Sequence, residues 1–231
     1  MQARIIALIV TLLPIAAVHL AYMVSASAGL VPTCLPYTEG CASISRAARE
    51  GEAIYIFRAA MMCGAVFMLF YWWFTQLWLK NLEFGCNYHA VKYRFLVIFW
   101  LGSIGAVFLL FYVDYLGSKG DIYRFMRRYG IIFYFGLTPL AQMFALNEAF
   151  RLKKTGKLPP TAGTPLYFQL LLLIAMLGLG LTSVTLDYLG EDTDPRENII
   201  EWNYALLMHL YFLGSYFLWK QTHFQFFCKT S

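Results

Sequence analysis

Long apolar stretches at 4–25, 53–79, 93–117, 129–151, 166–190 and 202–222 alternate with short segments carrying Gly, Pro and charge. Each stretch reaches the roughly 20 residues that a helix needs to cross a bilayer. The apolar residues run continuously rather than at every second position. An open sheet also leaves its backbone unsatisfied in lipid, so helices are predicted and strands are not. No long linker interrupts the series. The pattern therefore predicts an all-α polytopic membrane protein, a single domain over 1–231 with six transmembrane helices.

Composition agrees with this reading. The chain is 60% hydrophobic, 18% aromatic and only 13% charged, whereas soluble domains are about one quarter charged. This excludes nucleic-acid binding and ordinary soluble enzymology as readings. The net charge of +5 is what loop Lys and Arg leave in a membrane protein and points to no partner. A small Lys and Arg excess favours both termini on the cytoplasmic side. The first stretch ends in a Ser25-Ala26-Ser27-Ala28 tail like a signal cleavage site, but its apolar core is too long for one, so a retained helix bent at Pro14 is expected. The expected membrane is the plasma or inner membrane in a bacterium, or a secretory-pathway membrane in a eukaryote.

Cys34 and Cys41 lie in the first outer loop beside Pro32, Pro36 and Gly40, where a disulfide is expected. Cys86 and Cys228 fall on the reducing side and Cys63 within a span. In the third connection, Lys119, Arg124, Arg127 and Arg128 interleave with Ile122, Tyr123, Phe125 and Met126, as in a segment lying along the interface.

Ionisable residues inside spans are costly and mark pairs or sites, so their depth matters. At about 1.5 Å per residue, His19, Arg58 and His209 lie within roughly two turns of the outer helix ends. Asp114, Asp187 and Glu201 lie within about one turn. Five helices thus contribute to one outer polar layer. The inner half carries nothing comparable: Glu148 sits near a helix end beside Arg151 and Lys153. The layer predicts an outward-facing polar cavity that handles lipids. Arg58, Asp114, Ser43 and Ser45 would bind a headgroup, and His19, His209, Glu201 and Asp187 are the candidate catalytic residues for acyl transfer or deacylation, with a histidine as base. Two alternatives stand beside it. One is a non-catalytic subunit whose aromatic faces hold partner helices, and the other is haem or metal binding through His19 and His209. No HExxH or HxxxH pair supports the latter, and His89 and His223 lie at the opposite face, so no metal or cofactor is expected. Membrane lipids are the expected partners.

Asp114-Tyr115-Leu116-Gly117 and Asp187-Tyr188-Leu189-Gly190 close two spans identically, as related hairpins or by coincidence. Phe70-Tyr71-Trp72-Trp73-Phe74 reads as interfacial anchoring and packing. Gly102, Gly105, Gly178 and Gly180 read as close helix contacts, and Pro139 with Thr138 and Gln142 as a kink facing a cavity.

Three motifs resemble the six-helix membrane family of the damage-regulated autophagy modulators and the GPI-anchor lipid-remodelling proteins. Cys41-Ala42-Ser43-Ile44-Ser45 is similar to the family's Pro-Ser-Ile-Ser segment, with Ala42 in place of proline. Tyr55-Ile56-Phe57-Arg58 is similar to its aromatic-Arg opening of the second helix, and Glu201-Trp202 to the Glu-aromatic pair opening the last. The family's spacing from that Glu to a His is longer than the one reaching His209. The resemblance implies work on or with lipids and puts Ser43, Ser45, Arg58 and Glu201 on the outer side.

Overall fold

A computed structural model describes residues 3–85, 92–190 and 193–225; Cys86, His89 and Cys228 lie outside the described residues. Seven α-helices form among these: α1 (Ala3–Ser27), α2 (Ile44–Ala48), α3 (Ala53–Phe84), α4 (Tyr93–Asp114), α5 (Asp121–Lys154), α6 (Gly163–Tyr188) and α7 (Asp194–Gln221). No strand occurs among the described residues. Five helices, α1, α3, α4, α5 and α6, are long and apolar enough to cross a membrane. The chain is a membrane-embedded type of protein.

α7 is not among these five, and its polar side chains have a use visible in its contacts. Asn203 donates to the Tyr37 carbonyl at 3.0 Å, Trp202 Nε1 to the Ala42 carbonyl at 2.9 Å and Asn198 to the Gly40 carbonyl at 2.8 Å. Its polar side chains satisfy the backbone of the loop between α1 and α2, which otherwise has no regular partner. Gly40 passes so close to the Pro195 carbonyl that a β-carbon would collide with it, and its φ of 63° suits only glycine at little cost. Cys34 and Cys41 are joined in a disulfide, with Cα atoms 6.4 Å apart. Tyr22 on α1 fixes the bridge by accepting from the Cys34 N–H at 2.8 Å.

Neighbours run in the order α6, α7, α1, α3, α4, α5, and α5 meets α6 only sparsely. The bundle is thus a ring with one weak seam. At the α4 crossings the packing is tight. A β-carbon on Gly102 would strike the buried Trp72 indole, and Gly105 lies against Thr138 of α5. Gly178 and Gly180 instead face open space, so they make no helix contact of the kind expected. α1 runs unbroken through Pro14, and α5 through Pro139. Thr138 and Gln142 are buried rather than cavity-lining. Gln142 donates to the Met208 carbonyl at 2.9 Å, and Tyr211 returns a bond to the Gln142 carbonyl at 2.9 Å. Of the basic third connection, Arg124, Arg127 and Arg128 belong to the start of α5 and Lys119 precedes it; Arg127 donates to the Tyr115 carbonyl at 3.0 Å, ending α4.

The repeated Asp-Tyr-Leu-Gly closes both α4 and α6 with a left-handed glycine, Gly117 at φ 82° and Gly190 at φ 66°. The likeness stops there, because Leu116 is buried and Leu189 exposed. It is a shared helix stop.

Candidate functional site

The weak seam opens at the end carrying the α1–α2 loop. α6 buries residues only as far as Met176, while Leu181 and Val184 are each 69% exposed. The divergence leaves a lateral groove of about 1360 Å³ between α5, α6, α7 and α2. One wall is apolar, from Ile131, Ile132 and Phe135 of α5 and Val184 of α6. Tyr204 crosses between α5 and α7 by donating to the Phe135 carbonyl at 3.2 Å and packing its ring on Phe135. The other wall is polar. Arg46 and Arg49 reach it from α2, and Asp194, Glu197, Asn198 and Glu201 from one face of α7.

Of the sequence-predicted residues, Glu201, Ser43 and Ser45 line this groove. Ser43 caps α2, accepting from the Arg46 N–H at 3.1 Å, and its hydroxyl lies 3.2 Å from that of Ser45. Glu201 Oε2 accepts from the Ile44 N–H at 3.3 Å. Glu201 precedes the apolar stretch of α7. Its side chain is half-buried at the groove wall.

The other predicted residues do not join the groove. Arg58 Nη2 donates to the Asp114 carbonyl at 2.9 Å and to the Leu116 carbonyl, so it caps the C-terminus of α4 rather than facing a headgroup. The side chains of Asp114 and Asp187 are exposed at helix ends away from the groove lining. His19 Nδ1 lies 2.7 Å from the Ile15 carbonyl and Nε2 lies 3.1 Å from the Tyr37 hydroxyl. His209 repeats the arrangement with the Ala205 carbonyl at 2.7 Å and Tyr134 at 3.1 Å. A carbonyl only accepts, so Nδ1 donates in each ring, and each imidazole has both nitrogens engaged. The two rings border one void of about 20 Å³, space for about one water. A haem does not fit between them. Among the described residues no group of three or more His, Cys, Asp or Glu is placed to hold a metal.

Sequence reasoning missed Arg46, Arg49, Asp194, Glu197 and Asn198. The available signal was spacing: positions 194, 197, 198 and 201 recur at three- and four-residue intervals, one helical face, ahead of the apolar stretch.

Fold and groove together define a class: an all-helical membrane-embedded bundle with a laterally open, half-polar groove at one end. No protein-family model, curated protein or solved structure matches the chain.

Proposed function

We propose that this is a six-span membrane protein, α7 being the sixth span, that handles a membrane lipid in the groove between α5, α6 and α7. Its termini lie on the cytoplasmic side and the groove opens in the outer leaflet, of the plasma or inner membrane in a bacterium or a secretory-pathway membrane in a eukaryote. The observation that carries the reading is the groove's division into an apolar wall and a charged one, open sideways where a lipid would enter. An acyl chain lies along Ile132, Phe135 and Val184. The phosphate meets Arg46 and Arg49, and an amine or hydroxyl meets Glu201 and Asp194. The disulfide of the α1–α2 loop supports an oxidising outer side. The resemblance to the lipid-remodelling family points the same way at Ser43, Ser45 and Glu201. Where the chemistry is acyl transfer or deacylation, the base is Glu201 and neither histidine, because the imidazole nitrogens are already engaged.

The test is mass spectrometry of lipids after reconstituting wild type and Glu201→Gln with a host lipid extract and a labelled lysolipid. Acylated or deacylated products with wild type alone establish remodelling. A lipid retained unchanged by wild type, and retained at least about tenfold less by an Arg46→Gln/Arg49→Gln variant, establishes binding or transport. Neither result returns the function to a scaffold for partner helices. That second reading has its own observation: the outer half of α6, with Gly178 and Gly180 bare and Tyr188 89% exposed, is largely uncovered among the described residues.

A further inference from the structure

The aromatic run Phe70–Phe74 divides between two surfaces. Tyr71 and Trp72 are buried in the core, whereas Phe70 and Trp73 turn outward. With Phe67 and Phe74 they wall a second cavity, of about 1110 Å³, at the end of the bundle opposite the groove. Its other walls are the first turns of α1 and the last turn of α7, which the hydrogen bond from Trp78 Nε1 to the Thr222 hydroxyl at 3.0 Å ties to α3.

Among the described residues, Arg4, Lys220 and the imidazole of His223 line this cavity and no carboxylate does, in contrast to the groove at the other end with Glu50, Asp194, Glu197 and Glu201. His223 is also the one non-glycine residue with positive φ among the described residues, at 47°. It stands just past the α7 C-cap Thr222, where glycine is the usual choice. The backbone there holds an imidazole at the cavity rim in a conformation that a side chain rarely adopts.

We propose that this cavity is a binding site for an anionic phospholipid of the leaflet at the α1 N-terminus, its phosphate held by Arg4, Lys220 and His223 and its chains laid on Phe67, Phe70 and Trp73. Basic pockets between helices at a membrane face select acidic headgroups over zwitterionic ones because the phosphate charge is left uncompensated by an amine. The apolar walls open beside exposed Ile5 and Phe70, which a soluble anion would leave uncovered and an acyl chain covers. The site is independent of the groove, sharing no residue with it.

The test is thermal unfolding of the detergent-solubilised full chain titrated with dioctanoyl phosphatidylglycerol, dioctanoyl phosphatidylcholine or inorganic phosphate. The phosphatidylglycerol should raise the melting temperature saturably, and the other two should not. In Arg4→Gln/Lys220→Gln its affinity should fall about fivefold for each cation removed. His223→Gly relieves the left-handed backbone, so this variant should melt at or above the wild-type temperature without lipid and still bind phosphatidylglycerol more weakly. It decides the matter alone if the double variant does not fold. Equal responses to phosphatidylglycerol and phosphatidylcholine, an equal response to inorganic phosphate, or wild-type affinity in the folded variants would each overturn the proposal.

Discussion

Trp202→Ala is expected to cost about 4 kcal/mol, within the range for emptying a fully buried aromatic site. Trp202 is 1% exposed and meets three rings edge-on, His19 at 5.7 Å, Tyr22 at 5.8 Å and Tyr37 at 5.5 Å. Those rings belong to α1 and to the α1–α2 loop, so one side chain of α7 pins both. Its indole N–H also holds the Ala42 carbonyl, which truncation leaves without that bond. Trp202→Phe keeps most of the ring contact and loses only the hydrogen bond, for about 1–2 kcal/mol. The check is the melting temperature of both variants, together with protease cleavage within residues 28–43. Cleavage should rise sharply in Trp202→Ala and little in Trp202→Phe. If both variants resist as wild type does, the disulfide rather than Trp202 anchors the loop.

The same contacts explain how much of the site was legible. Five spans were plain because about 20 apolar residues in sequence admit few other fates. α7 begins eight residues before its apolar stretch, and that polar start carries no apolar pattern to mark it as helix, although it supplies the groove's acidic face. The short α2 has five residues and no periodic stretch to betray it. Depth correctly gathered polar residues at one end, but depth does not distinguish a residue facing a cavity from one satisfying a neighbour's backbone. Arg58 and His19 do the latter. Their partners are main-chain carbonyls and a loop tyrosine, neither of which carries a sequence pattern.

The largest gap lay at the opposite end, where the apolar pattern suggested that Glu148 paired only locally. Glu148 is 2% exposed, and it accepts from Arg151 Nε at 2.8 Å and from Arg94 of α4 at 3.1 Å. Arg151 also bonds Glu83 of α3 in a two-pronged pair, and Lys92 reaches the same carboxylate at 3.1 Å. Lys157 then donates to the Glu83 carbonyl at 2.7 Å. Glu83 and Arg151 are 68 residues apart, so no local spacing reveals them. Glu83→Gln should therefore destabilise the chain by about 2–3 kcal/mol, somewhat less than the loss for a fully buried pair, because Arg151 keeps 29% of its side chain in solvent. Arg151→Gln should cost about as much, and the double variant less than the sum, because each single change leaves the other partner with one counter-charge fewer. Lys92→Gln, removing a single-point contact where Arg151 makes two, should cost under about 1 kcal/mol. Melting of wild type and the four variants at low and high salt measures this. Additive losses, or losses that vanish in salt, would mean that the cluster is a screened surface network and that α3, α4 and α5 are held at this end by apolar packing alone.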